Sequence, residues 1–322
     1  MTPIFVFTIL IILFALEILY FKIADRFNII DKPNHRSSHT SVTIRGGGII
    51  FTISALIFFV FFGQQYPFFI IGLFLISLIS FLDDILTLNN KVRLLVHLIS
   101  VLLMFYQWQL FNLPLFWIPI ALIFVIGTIN AYNFMDGING ITGGYSFLAI
   151  ATLYYLNENV VVFTSSELLV TIGLSLLVFN FFNFRNKAKC FAGDVGSVSI
   201  AFIIIFLIGQ LIIKTSNFNY ILLILFYGLD TVTTILFRLF RRENIFEAHR
   251  SHFYQFLSNE KKWSHLWVVA IYVAIQLLFN LIIIFDGAAN SITALLLIVC
   301  SAVLFLSIRF VVEGKSRLLN LN

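Results

Sequence analysis

Residues 191–197 read Phe191-Ala-Gly-Asp194-Val-Gly-Ser197, and they run directly into the apolar segment 197–213. A continuous apolar segment of this kind predicts a helix that crosses a membrane. A carboxylate at the end of such a helix is costly unless a metal, a cation or a substrate compensates its charge. Two further polar strings lie at the ends of apolar segments in the same way, at Asp83-Asp84 and at 133–140. If all three open on one membrane face, they can form one acidic site.

The composition predicts a membrane protein. With 60% hydrophobic and 11% charged residues, the 322-residue chain cannot form one soluble core inside a polar surface. The apolar runs are continuous and lack the alternation of a transmembrane β-barrel, so the prediction is an all-α polytopic helix bundle. Because no internal repeat or proline-rich linker divides the chain, residues 1–322 are expected to form a single integral membrane domain. Ten or eleven helices are expected, near 3–21, 48–63, 67–82, 94–109, 113–129, 141–156, 167–184, 197–213, 219–237, 265–285 and 291–310.

Positive charge predicts the orientation of these helices, because Lys and Arg near span ends stay on the cytoplasmic side. If the loop after the first span is inside, every Lys and Arg except Lys214 falls on that side. The N-terminus is therefore expected outside and the C-terminus inside. The first span lacks a positive n-region and a cleavage site, which predicts an anchor rather than a signal peptide. The expected cytoplasmic loops are 22–47, 83–93, 130–140, 185–196 and 238–264, and they contain all the polar motifs.

Together these loops offer the groups that phosphoryl transfer requires. Carboxylates supply hard oxygen ligands for Mg²⁺, glycines permit close backbone approach at helix N-termini, and basic side chains pair with phosphate oxygens. A transporter would instead be expected to place its ionisable groups near the bilayer midplane. The pattern therefore favours metal-assisted chemistry at the inner membrane surface. The residues concerned are Asp83, Asp84, Asp136 and Asp194, with Arg36, His39, Arg45, His249, Arg250 and His252.

Each motif taken singly has a structural alternative. The Asp pair can be a solvated helix cap, and the glycine strings can be helix-packing surfaces. The basic loop can simply reflect the tendency of Lys and Arg to stay on the cytoplasmic side. What favours function is that all three Asp strings fall on one face together with the basic loop. The groups given a structural interpretation, or no role, are Glu17, His97, Cys190, Asp230, His265 and Cys300.

Six strings, taken in order, resemble the polyprenyl-phosphate N-acetylhexosamine-1-phosphate transferases of glycosyltransferase family 4. The resemblance covers residues 31 to 255, and six strings in family order are highly specific although each alone is weak. The strings are Asp31-Lys-Pro33-Asn-His-Arg36-Ser-Ser-His39, Arg45-Gly-Gly-Gly48, Phe81-Leu-Asp83-Asp84, Asn130-Ala-Tyr-Asn133-Phe-Met-Asp136-Gly-Ile-Asn139-Gly140, Phe191-Ala-Gly-Asp194-Val-Gly-Ser197 and Glu247-Ala-His249-Arg250-Ser-His252-Phe-Tyr-Gln255.

The resemblance implies a reaction at the cytoplasmic face of a bacterial inner membrane. A UDP-N-acetylhexosamine and undecaprenyl phosphate would give undecaprenyl-pyrophosphoryl-sugar and UMP, with Mg²⁺ or Mn²⁺ as cofactor. The product would begin an O-antigen, capsule, exopolysaccharide or teichoic acid chain. Membrane lipid and a second copy of the chain are the further partners the resemblance allows, and no nucleic acid is expected.

The resemblance also implies residue roles. Asp194 would hold the metal with help from Asp83 or Asp84, and one of that pair would orient the lipid phosphate or take its proton. Which of the two does so stays open. The resemblance further implies contacts with the nucleotide, phosphate, sugar or lipid headgroup by Asn133, Asp136, Asn139, His249, Arg250, His252, Arg36 and His39. A role for Asn183 is implied only weakly, because the Pro that the family has near Asn186-Lys187 is absent.

Departures from the family pattern narrow the substrate. The peptidoglycan branch, phospho-N-acetylmuramoyl-pentapeptide transferase, usually has Asp where Asn139 stands and a His-rich triplet where this chain has His249-Arg-Ser-His252. The pattern here looks more like the branch that begins O-antigen or exopolysaccharide chains. The alternatives are that peptidoglycan enzyme, a polyprenyl-lipid flippase, a phosphotransferase of the CDP-alcohol type, whose closely spaced Asp motif is not found here, and an inactive scaffolding relative.

Overall fold

A computed structural model describes residues 2–31, 42–86, 88–244, 249–285 and 290–320. In these ranges the chain is almost entirely helical, which confirms the predicted all-α membrane fold. A two-stranded antiparallel ribbon pairs β1 (Ile30–Asp31) with β2 (Thr43–Ile44). The helices are α1 Pro3–Arg26, α2 Ile49–Phe61, α3 Pro67–Leu86, α4 Asn90–Gln107, α5 Trp117–Met135, α6 Ile141–Asn159, α7 Ser166–Asn183, α8 Gly193–Thr215, α9 Leu225–Phe240, α10 Phe253–Asn259, α11 His265–Phe285, α12 Ser291–Glu313 and α13 Lys315–Leu319. Short 3-10 turns lie at Leu110–Asn112 and Phe218–Ile224.

All eleven predicted spans coincide with helices of the structure. Eight helices in the described ranges are long and apolar enough to cross a membrane, counting the turn at Phe218 and α9 as one. The other three predicted spans correspond to α2, α4 and α6. Helix α2 has only 13 residues, and the first turn of α4 carries charge from Lys91 and Arg93. The prediction did not include α10 and α13, which are too short to span hydrocarbon.

Helix α8 forms the centre of the bundle. It packs against α2, α3, α5 and α6, and 78% of its most apolar stretch is buried within the protein. Phe69 of α3 stacks on Phe206 of α8 with ring centroids 3.8 Å apart, and the Trp108 ring occupies the space that a β-carbon at Gly209 would need. Close van der Waals packing of this kind holds membrane helices together where lipid removes the hydrophobic driving force. Helix α8 therefore gives a fixed reference for the polar loop at its N-terminus.

Two backbone segments meet at that N-terminus. Gly47 N–H donates to Phe191 O and Gly48 N–H donates to Ala192 O, so the turn before α2 runs against the start of α8. A β-carbon at Gly48 would lie 2.3 Å from the α-carbon of Gly196. Only glycine allows this approach. The glycine strings thus bring two loops together at one end of the bundle.

Candidate active site

A cavity of about 240 Å³ opens at the end of the bundle where the three predicted Asp strings meet. Its walls come from β1 and the turn before α2, the α5–α6 loop, the α7–α8 loop, and the starts of α10 and α11. The chain therefore brings together segments that are far apart in sequence. The lining residues are Asp31, Arg45, Asn133, Asp136, Gly137, Ile138, Asn139, Asn183, Phe191, Gly193, Asp194, Gln255 and His265.

Asp84 caps helix α8 from the neighbouring helix α3. Its carboxylate accepts the backbone N–H groups of Asp194, at 3.1 Å, and Val195, at 3.0 Å. Arg45 Nε lies 2.7 Å from the same carboxylate, whose side chain is 0% exposed. Both oxygens of Asp84 are therefore engaged, and a negative charge at a helix N-terminus is favourable. Asp84 is a helix cap, as the structural alternative stated, but a buried one that serves another helix.

Asp83 and Asp194 are linked by arginine. Asp83 accepts the Leu88 backbone N–H at 2.7 Å and pairs with Arg93 Nη1 at 2.5 Å. Asp194 contacts Arg93 at 3.7 Å and Arg45 at 3.5 Å, and its side chain is 24% exposed. Two guanidinium groups thus serve three carboxylates, and the longest contacts are those to Asp194. Asp194 is the member of the cluster that faces the cavity and can exchange partners most readily.

Asp136 follows the last residue of α5 and lines the same cavity. Burial raises the pKa of its carboxyl to about 7, and the negative charges of Asp194 and Asp84 act in the same direction. Near neutral pH this group can therefore hold or release a proton, or take a cation.

The asparagines of the predicted nucleotide wall join the loops to one another. Asn133 Oδ1 accepts the Ser197 hydroxyl at 2.8 Å. Asn139 Nδ2 donates to the carbonyl oxygens of Arg185, at 3.0 Å, and Asn186, at 3.1 Å. Asn183 accepts the Gly140 N–H at 2.7 Å and donates to Cys190 O at 2.8 Å. All three asparagines line the cavity while fixing its shape.

The basic loop lies beside the cavity. His249 and His252 stack with ring centroids 5.0 Å apart, and His249 lies 6.0 Å from the ring of Phe134, next to Asn133. Burial lowers the pKa of His249 to about 3, so this ring is neutral at pH 7. Arg250 lies between the two histidines. The predicted Arg36 and His39 lie outside the described residues, so their roles stay predictions.

Hard cations fit the donors that face the cavity. Asp194 and Asp136 present carboxylates and Asn133 an amide, the oxygen ligands that Mg²⁺ accepts together with substrate phosphates. Within the described ranges, no three His, Cys, Asp or Glu side chains form a ready metal cage. A bound ion would therefore complete its shell with water and substrate. Ligation by Asp83 and Asp84 stays a prediction, and both already accept a backbone N–H and an arginine.

Sequence reasoning missed several residues of the site. Arg93 was counted only as a topology signal, and His265 was given a structural interpretation, yet His265 lines the cavity and its Nδ1 lies 3.3 Å from Asn139 N. Gln255 and Asp31 stood in the quoted strings without a role. One feature of the sequence could have indicated Arg93 as a site residue: it lies a few residues after the Asp pair, at the start of a helix. His265 had none, because it meets the 133–140 string only through the fold.

Fold and site together define a multi-pass membrane protein with an acidic cavity, bordered by arginine and histidine, at one end of its helix bundle. The model of glycosyl transferase family 4 matches residues 66–212, which include the Asp pair, the 133–140 string and Asp194. Over these residues the chain is similar to the family that the six strings indicated.

Curated relatives extend the match beyond those residues. A probable undecaprenyl-phosphate N-acetylglucosaminyl 1-phosphate transferase of Bacillus subtilis is 27% identical over 275 residues, 78% of this chain and 76% of the relative. A phospho-N-acetylmuramoyl-pentapeptide-transferase of Thermotoga neapolitana is 29% identical over 262 residues, 73% of this chain and 82% of the relative. The undecaprenyl-phosphate alpha-N-acetylglucosaminyl 1-phosphate transferase of Escherichia coli K12 is 27% identical over 228 residues, 64% and 60% of the two chains. Identity alone does not separate the two branches.

Proposed function

We propose that this protein transfers an N-acetylhexosamine-1-phosphate from a UDP-sugar to undecaprenyl phosphate and releases UMP. The observation that carries the proposal is the cavity lined by Asp194, Arg45 and the 133–140 string, which includes Asp136. The names of the N-acetylglucosaminyl 1-phosphate transferases it resembles support the same acceptor and transferred group.

The chemistry of the reaction matches the charges of the site. The attacking lipid phosphate and the β-phosphorus of the sugar nucleotide both belong to anions, so positive charge must be supplied before they can approach. Arg45 and Arg93 are 35% and 36% exposed, and each already bridges two aspartates. When phosphate enters, these guanidinium groups can move from carboxylate to phosphate oxygens, which they bind in a fork.

Within the cavity, Asp194 and Asp136 would hold Mg²⁺, or Mn²⁺ in its place. The ion would supply Lewis-acid stabilisation of the pyrophosphate and the departing UMP. Asn133 and Asn139 would form the nucleotide wall, and the His249–His252 loop would contact phosphate and sugar. These residues act chiefly by positioning, since phosphoryl transfer needs little covalent help from protein.

Asp83 is the better candidate of the Asp pair for handling the acceptor. The Asp84 side chain is fully enclosed and caps α8, whereas that of Asp83 is 12% exposed and pairs with Arg93. A phosphate with a second pKa near about 6 is largely ionised at pH 7, so orientation matters more than proton removal. The fatty tail of the acceptor would lie between spans, open to lipid.

We place the site at the cytoplasmic face of a bacterial inner membrane, from the distribution of Lys and Arg. The product would begin a cell-surface polysaccharide. A cysteine-labelling map in intact cells tests this placement, because residues 90 and 250 must be unreachable from outside. Labelling of either by a membrane-impermeant reagent would refute it.

The direct test uses purified protein with Mg²⁺, undecaprenyl phosphate and a panel of sugar nucleotides. UDP-GlcNAc or a 6-deoxy relative should release UMP, and UDP-N-acetylmuramoyl-pentapeptide should not. If only UDP-N-acetylmuramoyl-pentapeptide leads to UMP release, the protein would instead be assigned to the peptidoglycan branch. No UMP from any donor, with substrate-dependent movement of the lipid across vesicles, would replace the enzyme by a flippase.

A further inference from the structure

Helix α12 carries a buried arginine that reaches the histidine loop. Only 17% of the most apolar stretch of this helix is buried, so most of its surface faces away from the protein. Its buried residues form one stripe along the helix, and near the end of that stripe Arg309 is 1% exposed. A charge buried in a span is costly and is usually kept for a specific partner.

The hydrogen bonds of Arg309 lie at the end of the bundle that carries the predicted cytoplasmic loops. Nε pairs with Glu313 at 2.5 Å, and Nη1 donates to the hydroxyls of Thr233, at 3.0 Å, and Thr234, at 2.8 Å. Nη2 donates to the backbone carbonyl of Ser251 at 3.0 Å. Ser251 directly precedes His252, so α12 holds the loop by its backbone between the two histidines.

An acidic group beside Arg309 holds the same loop, with Asp230 Oδ1 4.0 Å from Arg309 Nη1. Asp230 of α9, 0% exposed, accepts the backbone N–H groups of Phe253, at 3.0 Å, and Tyr254, at 3.3 Å. It also accepts the Tyr272 hydroxyl at 2.6 Å and lies 3.3 Å from His252 Nδ1. The cation therefore binds a carbonyl and the anion binds amides within four consecutive residues, which fixes the direction of the loop backbone.

From this fixed loop, two contacts lead to the cavity. The His249 ring rests near Phe134, and Tyr254 Oη donates to Phe134 O at 2.9 Å. His252 is buried, and its Nε2 has no hydrogen-bond partner among the described residues. The position of both rings thus depends on how the backbone at Ser251 is held.

We propose that Arg309 is a positioning residue of the transferase, which aligns His249 and His252 with the cavity through the Ser251 carbonyl. This inference rests on the proposed function. It assigns a role to the last span, which lies outside the 66–212 family match. A displacement of about 1 Å in a catalytic constellation costs on the order of 10²-fold in rate.

The test compares Arg309→Met and Arg309→Lys with the matched control Lys315→Met. Lys315 is an exposed cation six residues further along the chain, and within the described ranges it makes no hydrogen bond or ion pair with the histidine loop. We expect Arg309→Met to lower kcat about 100-fold. Arg309→Lys should be intermediate because an ammonium cannot reach all four acceptors. Lys315→Met should match wild type. Hydrogen exchange of peptide 249–259 should accelerate in both Arg309 variants and not in the control.

A double-mutant cycle separates positioning from general packing. In the background His249→Ala/His252→Ala, Arg309→Met should cost less than about threefold, because the groups it aligns are gone. An equal cost in both backgrounds, or unchanged exchange in 249–259, overturns the inference. If Arg309→Met does not accumulate in membranes, Arg309→Lys is read in the same cycle. Absence of UMP release by wild type would refute the proposed function instead, and the exchange measurement still decides the contact.

Discussion

The two sides of the cavity use the same charged groups in opposite ways. On the aspartate side, Arg45 and Arg93 are about one-third exposed, and each is shared between two carboxylates. On the histidine side, Arg309 and Asp230 are enclosed and bind backbone groups of one loop. Partly solvated ion pairs are weak and can exchange partners, whereas enclosed ones are costly to break. The aspartate side is therefore suited to receiving anions and a metal, and the histidine side to holding a fixed shape.

The largest effect on turnover should come from substitution of Asp194, which faces the cavity and makes the longest ion-pair contacts of the aspartate cluster. We expect Asp194→Asn to reduce UMP release at least about 10³-fold while the protein still inserts, because the substitution removes charge at the proposed metal site. Asp25→Asn, an exposed carboxylate in α1, is the control and should retain full turnover. Near-normal turnover in Asp194→Asn would remove Asp194 from the proposed mechanism.

Asp84 should respond in stability as well as in rate. Asp84→Ala leaves Arg45 without its shortest partner and exposes two N–H groups of α8, so we expect a loss of about 3 kcal/mol in the free energy of unfolding. Asp83→Asn should change stability less but still reduce turnover. Urea or thermal unfolding in detergent measures the difference. Equal stability loss in both variants would contradict the assignment of Asp84 as the cap.

Asn139 distinguishes a substrate contact from a tie between loops. Asn139→Asp places a carboxylate against two backbone carbonyl oxygens, so we expect about a tenfold or greater loss of kcat with UDP-GlcNAc. No activity with UDP-N-acetylmuramoyl-pentapeptide should appear. A gain of that activity would show that residue 139 reads the sugar directly.

The smallest effect concerns pH. The folded-state pKa of Asp136, about 7, lies above its ordinary value of 3.8. The protonated carboxyl therefore contributes stability that is complete below about pH 4 and lost as the pH rises through 7. Without metal or substrate, the melting temperature should fall between pH 5 and 8 by more in wild type than in Asp136→Asn. Parallel curves for the two proteins would contradict the raised pKa.

The sequence predicts much of this molecule because membrane constraints are local. Continuous apolar runs place every long helix, and the six strings mark the loops that meet at the cavity. What the sequence does not show depends on contacts between distant residues. Asp84 as the cap of α8, Arg93 between two aspartates and His265 beside Asn139 are such cases. Asp230 was given a structural interpretation from the sequence, which did not show that its partners include the backbone amides of the histidine loop.

Short elements escaped prediction for a related reason. Helix α10 has seven residues and α13 has five, too few to show a clear period, and both are held by neighbours rather than by their own propensity. His252 and Gln255 form a reciprocal cap at the start of α10. Arg241 binds the carbonyl oxygens of Arg317 and Leu318 in α13.

The cap that Asp84 provides for α8 joins residues 110 positions apart along the chain. At about 5–20 residues per second, a ribosome needs roughly 5–20 seconds to synthesise that interval. Helix α3 is therefore synthesised long before the helix whose N-terminus Asp84 caps. Arg45, already synthesised, can neutralise Asp84 at this stage, since it is the arginine that pairs with Asp84 in the described part of the structure. Asp84 can thus pair with Arg45 before it caps α8. A substitution of Arg45 should therefore lower the yield of inserted protein even where the final fold is retained.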